Sequence, residues 1–168
     1  MSVPLQARSG AWQPALELLE PISLVRCCTS PLGRNLCMIV TETAVHVYVT
    51  SDESPNLSFE PVTSFFLGCR ATGASWSPST QHASTAWRIE ILVATETNEL
   101  RLLESVRQGS EASTSNKKLA DTHARVSDLA WCASAGYESY AAAACADGTV
   151  RLWDLEGGCR THYLNSAV

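Results

Sequence analysis

Residues 122–131 read THARVSDLAW and residues 140–154 read YAAAACADGTVRLWD, and together they predict three short β-strands. The first strand alternates apolar and polar residues, the second is a run of small apolar residues, and the third alternates again. Asp147 and Gly148 stand between the second and third strands, and a tight hairpin turn needs the positive φ that these two residues tolerate. The segment therefore predicts an antiparallel sheet closed by a two-residue turn.

The same segment resembles the WD-repeat family. A histidine, His123, precedes the first strand, Asp147 opens the hairpin turn, and Trp153 and Asp154 close the third strand. The resemblance implies a β-propeller blade and gives these four residues a structural role. It also implies that His123 reaches back to Asp147 while Trp153 stacks beneath, as a buried polar chain that helps only when its members are paired.

Two positions depart from the family pattern. The second strand carries Ala143 where the family usually has Ser or Thr, and Thr122 precedes the histidine where the family has Gly. The blade is therefore expected to be a divergent one with an incomplete polar chain. We expect His123 and Asp147 to be structural rather than a catalytic dyad.

The pattern recurs along the chain, which predicts an all-β fold: a WD-repeat β-propeller of about three blades that form an incomplete ring. Related segments, V-T-E-T from Val40 and A-T-E-T from Ala94, fall 54 residues apart. Such a period is typical of blades with long loops. The predicted boundaries are a lead-in at 1–20, blades at about 21–56, 57–107 and 119–164, and a linker at 108–118, which is rich in Ser, Thr and Asn.

Three blades leave the ring open, since propellers have roughly four to eight blades and closure removes exposed sheet edges. We expect the chain to be part of a longer gene product. Completion by blades of a partner and self-association through the open faces are the alternatives.

The composition excludes several classes of function. The chain has 168 residues, 45% of them hydrophobic and 17% charged, with a net charge of −5. A nucleic-acid surface needs clustered Lys and Arg, so no nucleic-acid partner is expected. No apolar run is long enough to insert into a membrane, and residues 1–10 lack the apolar region of a secretory signal.

No arrangement of residues indicates catalysis or the binding of a metal, a cofactor or a small-molecule substrate. The seven cysteines include no C-x-x-C pair, which argues against zinc and favours free thiols in a reducing compartment. We find no nucleophile elbow, phosphate loop or paired histidines. The partners are therefore expected to be proteins, and Trp87 with Arg88, at the end of a loop, is the predicted contact.

A narrower resemblance involves residues 68–70 (GCR), 73–80 (GASWSPST), 100–103 (LRLL) and 151–157 (RLWDLEG). In this order they resemble the small WD-repeat nucleoporins of the Y-shaped outer-ring complex. The resemblance implies a non-catalytic scaffold that docks on a large helical nucleoporin, supports nucleocytoplasmic transport and lies at the nuclear envelope; otherwise the chain would be cytoplasmic. The alternative is a WD-repeat adaptor of a ubiquitin ligase, a chromatin complex or a transcription complex.

Overall fold

The computed structural model describes residues 16, 18–53, 56–157 and 160–164. Within these residues all regular secondary structure is β-strand. The strands are β1 (Leu24–Cys27), β2 (Leu36–Val40), β3 (Ala44–Glu53), β4 (Asn56–Phe66), β5 (Ala71–Trp76), β6 (Gln81–His82), β7 (Ala86–Thr95), β8 (Glu99–Gln108), β9 (Glu111–Asp121), β10 (Val126–Trp131), β11 (Tyr140–Cys145), β12 (Val150–Asp154) and β13 (Arg160–Leu164). None of the described residues belongs to a helix of the length and apolar character that a membrane crossing requires.

The strands form three separate antiparallel sheets, which we call blades 1, 2 and 3. Blade 1 has the order β1-β2-β3-β4, and blade 3 has the order β10-β11-β12-β13. Blade 2 has the order β5-β7-β8-β9, with the short β6 paired to the outer part of β7. Apart from β6, which makes blade 2 five-stranded, each blade is thus a four-stranded meander in chain order, and the fold is all-β, a three-bladed part of a β-propeller.

The middle strands are apolar because both of their faces are covered. All five residues of β2 are buried. Met38 and Val40 pack toward blade 2, whereas Cys37 and Ile39 face the other side, where Leu16 and Leu18 pack against them. A continuous apolar run is what a strand buried on both faces requires.

Two hydrophobic cores hold the blades together, one at each junction. Met38, Val47 and Phe65 of blade 1 pack with Trp76 and Ile91 of blade 2 in the first core. The second core joins blades 2 and 3, and its buried members are Leu92, Ala94, Leu100, Val126, Leu129, Ala141, Ala143, Cys145 and Trp153. A fully buried Leu, Ile or Val side chain stabilises a fold by about 1.5–3 kcal/mol, so these junctions account for much of the stability.

The first strands of the three blades, β1, β5 and β10, run side by side at the inner edge of the molecule. The indole N–H of Trp76 on β5 donates to the carbonyl oxygen of Arg26 on β1 at 3.1 Å. The backbone N–H of Trp131 on β10 donates to Ser75 Oγ on β5 at 2.8 Å. The guanidinium of Arg26 also reaches Asp128 on β10 at 2.7 Å, so blade 1 contacts blade 3 directly. The three inner strands therefore surround a common axis.

Gly73 permits the close approach of β5 to β10. A Cβ at this position would lie 3.2 Å from Leu129 Cβ and 3.4 Å from the backbone nitrogen of Leu129. Such distances are tight for a carbon, and the second atom belongs to backbone that cannot rotate away. A side chain at position 73 would therefore push blades 2 and 3 apart.

The predicted β11–β12 hairpin is confirmed, but residues 146–149 join the strands instead of a two-residue turn, and of Asp147 and Gly148 only Gly148 has a positive φ, 80°. The predicted linker at 108–118 is wrong. Residues 111–121 form β9, the outer strand of blade 2, paired along its length with β8. Its first eight residues are all exposed, so the strand has no apolar alternation by which the sequence could reveal it.

The predicted blade boundaries shift for the same reason. Residues 56–66 form β4, which pairs with β3 as the outer strand of blade 1 instead of opening the second blade. Blade 1 thus spans 24–66, blade 2 spans 71–121 and blade 3 spans 126–164. Most of the predicted lead-in lies outside the described residues.

Candidate interaction site

Of the residues assigned to the WD-repeat motif, only Asp147 belongs to the polar cluster at the β11–β12 turn, and its partners differ from those expected. Asp147 Oδ1 accepts hydrogen bonds from the Thr149 hydroxyl at 2.6 Å and from the Thr149 backbone N–H at 3.1 Å. Asp147 Oδ2 accepts from Arg151 Nη2 at 2.8 Å. The hydrogen bonds from Thr149, followed by the ion pair with Arg151, lower the pKa of the Asp147 carboxyl below its ordinary value.

The expected contact between His123 and Asp147 is not formed, so this prediction is wrong. His123 is exposed and has a φ of 56°, in the turn between β9 and β10. The buried guanidinium of Arg151, on the strand that follows the turn, binds the carboxylate instead. Arg151 thus occupies the place that the resemblance assigned to a histidine.

Trp153 and Asp154 have structural positions. The Trp153 side chain is fully buried in the core between blades 2 and 3. Its indole N–H has no hydrogen-bond partner among the described residues, as expected for a polar chain that has Ala143 on the neighbouring strand. Asp154 Oδ1 accepts from the backbone N–H of Gly157 at 2.8 Å and so fixes the turn after β12.

Trp87 lies at the centre of a row of three side chains at the outer end of blade 2. In the register of the sheet, His82 on β6 and Arg107 on β8 stand directly opposite Trp87 on β7. The imidazole of His82 stacks on the indole with centroids 5.9 Å apart and planes 26° apart. The Arg107 guanidinium carbon lies 4.9 Å from the indole centroid, within range of a cation–π interaction. We call these three residues the Trp87 row.

Hydrogen bonds and burial fix the row in place. Trp87 is half-buried, and its indole N–H donates to Ser105 Oγ at 3.1 Å. Arg107 Nε donates to the carbonyl oxygen of Gly109 at 2.9 Å, which leaves its terminal nitrogens as further donors. Burial lowers the pKa of the His82 imidazole below its ordinary value, which favours the neutral ring. The row therefore presents an aromatic surface with a single positive charge.

Two clefts meet at the Trp87 row. One has a volume of about 480 Å³, and its wall includes Leu32 of blade 1 and Val106 of blade 2. The other has a volume of about 620 Å³ and runs between the row and the outer strands of blade 1, where Glu60 and Pro61 line it. The row is thus accessible from both sides of the groove between blades 1 and 2.

Arg88, the second predicted contact residue, belongs to a different cluster. Neighbouring residues of a strand point to opposite faces, so Arg88 and Trp87 diverge. Arg88 Nε donates to Glu90 Oε1 at 2.7 Å, and the hydroxyls of Ser77 and Ser79 donate to Glu90 Oε2 at 2.9 and 2.7 Å. Burial of Glu90 raises the pKa of its carboxyl, but the donors Ser79, Arg88 and Ser77 together outweigh burial and lower it.

Sequence reasoning found Trp87 and missed His82, Arg107 and Glu90. The two-residue strand β6 sets the position of His82, and no sequence pattern marks so short a strand. Arg107 lies near the end of β8, beyond the apolar segment at residues 100–103. Glu90 did carry a signal, because it is a single charge inside the apolar run I-E-I-L-V, and such a charge needs partners.

Among the described residues, the cysteines form no disulfide and no cluster of side chains forms a metal site. Each of the six cysteines among the described residues is a free thiol, and Cys159 lies outside these residues. In the same part of the chain, no three His, Cys, Asp or Glu side chains come together in a way that could hold a metal ion.

Comparison with solved structures finds a likeness to the crystal structure of Chaetomium thermophilum Sqt1 bound to the N-terminus of the ribosomal protein L10. The two chains are 15% identical, with a TM-score of 0.49, and the alignment covers 99% of this chain and 55% of Sqt1. The chain thus spans about half the length of that protein. No protein-family model and no curated protein matches the sequence.

Proposed function

We propose that this chain is a non-catalytic adaptor that binds a protein partner at the Trp87 row. The observation that carries the proposal is a half-buried tryptophan held between a histidine and an arginine where two clefts meet. Trp and Arg are enriched among the residues that dominate binding energy in protein interfaces. Such anchors act best when they are rigid before binding, and the hydrogen bond from Trp87 to Ser105 supplies that rigidity.

The chemistry of the row indicates what a partner would present. The indole offers an apolar surface, and Arg107 offers donors beside it. A segment with an apolar side chain next to a carboxylate matches both features, because the carboxylate binds the guanidinium while the apolar group covers the ring.

Affinity purification of the tagged full chain, with quantitative mass spectrometry, tests the proposal. Trp87→Ala is compared with the wild type and with Phe66→Ala, which removes an aromatic side chain that is 74% exposed on β4. We expect Trp87→Ala to lose at least one partner that both other proteins retain, while circular dichroism shows an unchanged fold. Equal recovery of all partners by the three proteins would contradict the proposal.

Within this proposal, the resemblance of residues 68–70 and 73–80 to the WD-repeat nucleoporins supports a narrower function. The partner would then be a large helical nucleoporin, and the chain would be a scaffold subunit of the nuclear pore at the nuclear envelope. We expect scaffold nucleoporins among the proteins that wild type and Phe66→Ala recover, and a nuclear-rim signal for a fluorescent fusion. Recovery of ubiquitin-ligase, chromatin or transcription subunits in their place would favour the alternative adaptor role.

A further inference from the structure

Arg70 and Arg125 occupy the same position in blades 2 and 3. Each directly precedes the inner strand of its blade, β5 or β10. The carbonyl oxygen of each accepts a hydrogen bond from the turn between the second and third long strands of the blade, from Glu96 N at 2.9 Å and from Ala146 N at 2.8 Å. The two arginines are therefore held by the same backbone arrangement at the same end of the inner strands.

A hydroxyl residue follows each arginine at the same distance. The pairing of β5 with β7 skips Thr72, and the pairing of β10 with β11 skips Ser127, so each is the extra residue of a β-bulge. Bulges re-aim side chains at the ends of strands and are frequent next to functional sites. Blades 2 and 3 thus each present an arginine and a hydroxyl at an equivalent place.

These residues line one cleft at the axis between the inner strands, with a volume of about 240 Å³. Arg26 of β1 and Asp128 of β10 also line it and pair with each other at 2.7 Å. Among the residues that the structure describes, neither Arg70 nor Arg125 has a carboxylate within ion-pairing distance of its guanidinium. The nearby Glu96 carboxylate accepts from the backbone N–H of Arg70 at 3.0 Å.

The charge at this cleft is opposite to that of the chain. The whole sequence has a net charge of −5, whereas the lining of the cleft has three arginines and one aspartate. Because the aspartate neutralises Arg26, two exposed guanidiniums and the Ser127 hydroxyl remain as donors, whereas the Thr72 hydroxyl donates to the carbonyl oxygen of Ala94 at 3.4 Å. We call this cleft, defined by Arg70, Thr72, Arg125 and Ser127, the axial arginine site.

We propose that the axial arginine site binds an acidic peptide segment of a protein partner, with carboxylates on the guanidiniums of Arg70 and Arg125. Arg binds carboxylates with charge-assisted hydrogen bonds, which are the strong ones. The two arginines belong to different blades. A peptide that crosses the axis can place one acidic side chain on each of them, so such a peptide fits the site better than a single anion. The site lies at the inner strands and is separate from the Trp87 row, so the proposal goes beyond adaptor binding at that row.

Fluorescence anisotropy tests the proposal with a fluorescein-labelled peptide of alternating glutamate and glycine. The same peptide with glutamine in place of glutamate is the uncharged probe, and one with phosphoserine is the phosphate probe. The proteins are the wild-type chain, Arg70→Gln, Arg125→Gln and the double variant. Arg34→Gln is the matched control, since it removes an exposed arginine of blade 1 outside the cleft.

The wild type is expected to bind the glutamate peptide at least about tenfold more tightly than the glutamine peptide, with affinity that falls as salt is added. Each single variant is expected to weaken binding about tenfold, whereas Arg34→Gln binds like the wild type. Equal binding of the two peptides, or equal binding by the double variant, would overturn the proposal. Binding of the phosphoserine peptide alone would also overturn it, because the ligand chemistry would then be a phosphate.

Discussion

Glu90 is a buried carboxylate in the middle of an apolar strand, and its partners explain how the fold tolerates it. Two serine hydroxyls and one guanidinium donate to its oxygens. A buried charge without partners would be very costly, but a fully hydrogen-bonded one is not. The cluster also ties the loop after β5 to β7, so Glu90 positions the chain that leads to His82.

Replacement of Glu90 by alanine is expected to lower the free energy of unfolding by about 2–3 kcal/mol, because buried hydroxyls lose their acceptor. Urea denaturation at pH 7 measures this. Glu111→Ala, at an exposed position of β9, should change the free energy by less than about 0.5 kcal/mol. Similar effects of the two substitutions would contradict the role of the Glu90 cluster.

The same carboxyl makes a pH-dependent contribution. Its pKa is lower in the folded state, so its contribution is fully present above the ordinary pKa of glutamate, about 4.3, and is lost as pH falls through the folded pKa. The stability difference between the wild type and Glu90→Gln should therefore shrink below about pH 4. A difference that stays constant down to pH 2 would contradict the assignment.

Arg151, not His123, is the partner of Asp147, and paired substitutions distinguish the two. Arg151→Met should lower the melting temperature clearly, because a buried, hydrogen-bonded side chain is lost. His123→Ala removes an exposed ring and should change stability by less than about 0.5 kcal/mol. Thermal unfolding followed by circular dichroism gives both values. A larger effect of His123→Ala would restore the arrangement implied by the family resemblance.

Cys37 and Cys27 face each other across β1 and β2 but differ in exposure. Burial, with a smaller contribution from Cys27, raises the pKa of the Cys37 thiol to about 11. Because the thiolate is the reactive form, iodoacetamide at pH 8 should label Cys27 well before Cys37 in the native protein. Peptide mapping by mass spectrometry measures both labelling rates. Equal labelling rates of Cys27 and Cys37 in the native protein would contradict the packing of β2.

At the scale of the element, β9 shows why an exposed outer strand escapes sequence reasoning. Hydrophobic alternation marks a strand only when one of its faces is buried. The first eight residues of β9 bury neither face, and the strand forms because its backbone pairs with β8. By contrast β2, β7 and the β11–β12 hairpin were predictable, since apolar runs and an Asp-Gly turn mark them.

The contact between β5 and β10 is also set at this scale, by the absence of a side chain at Gly73. Gly73→Ala is expected to cost about 1–3 kcal/mol through overpacking against Leu129. The cost should be smaller in a Leu129→Gly background, because glycine lacks the Cβ that the new methyl group would meet at 3.2 Å. Urea denaturation of the four proteins gives the coupling free energy. An identical cost in both backgrounds would contradict the close approach of these strands.

At the scale of the whole molecule, three blades and their order could be predicted from the sequence, but not the contacts between them. Repeated strand patterns and one Asp-Gly turn indicate blades. The clefts depend on which side chains meet at the axis and along the groove, as Arg26 meets Asp128 and His82 meets Trp87. These contacts depend on strand register, on β-bulges and on the angle between blades, and none of these has a local sequence signal.

The contact between blades 1 and 3 distinguishes two arrangements of the blades, an arc around an axis and a flat array. In a flat array, blade 2 would keep β1 and β10 apart. The most direct measurement is zero-length carbodiimide crosslinking of the Arg26→Lys variant, followed by mass spectrometry. Arg26 and Asp128 are 102 residues apart in sequence and 2.7 Å apart in the structure. We predict an amide crosslink between position 26 and Asp128 that disappears in the double variant Arg26→Lys, Asp128→Asn. A folded variant that gives no crosslink between these positions would contradict the arrangement of the three blades around one axis.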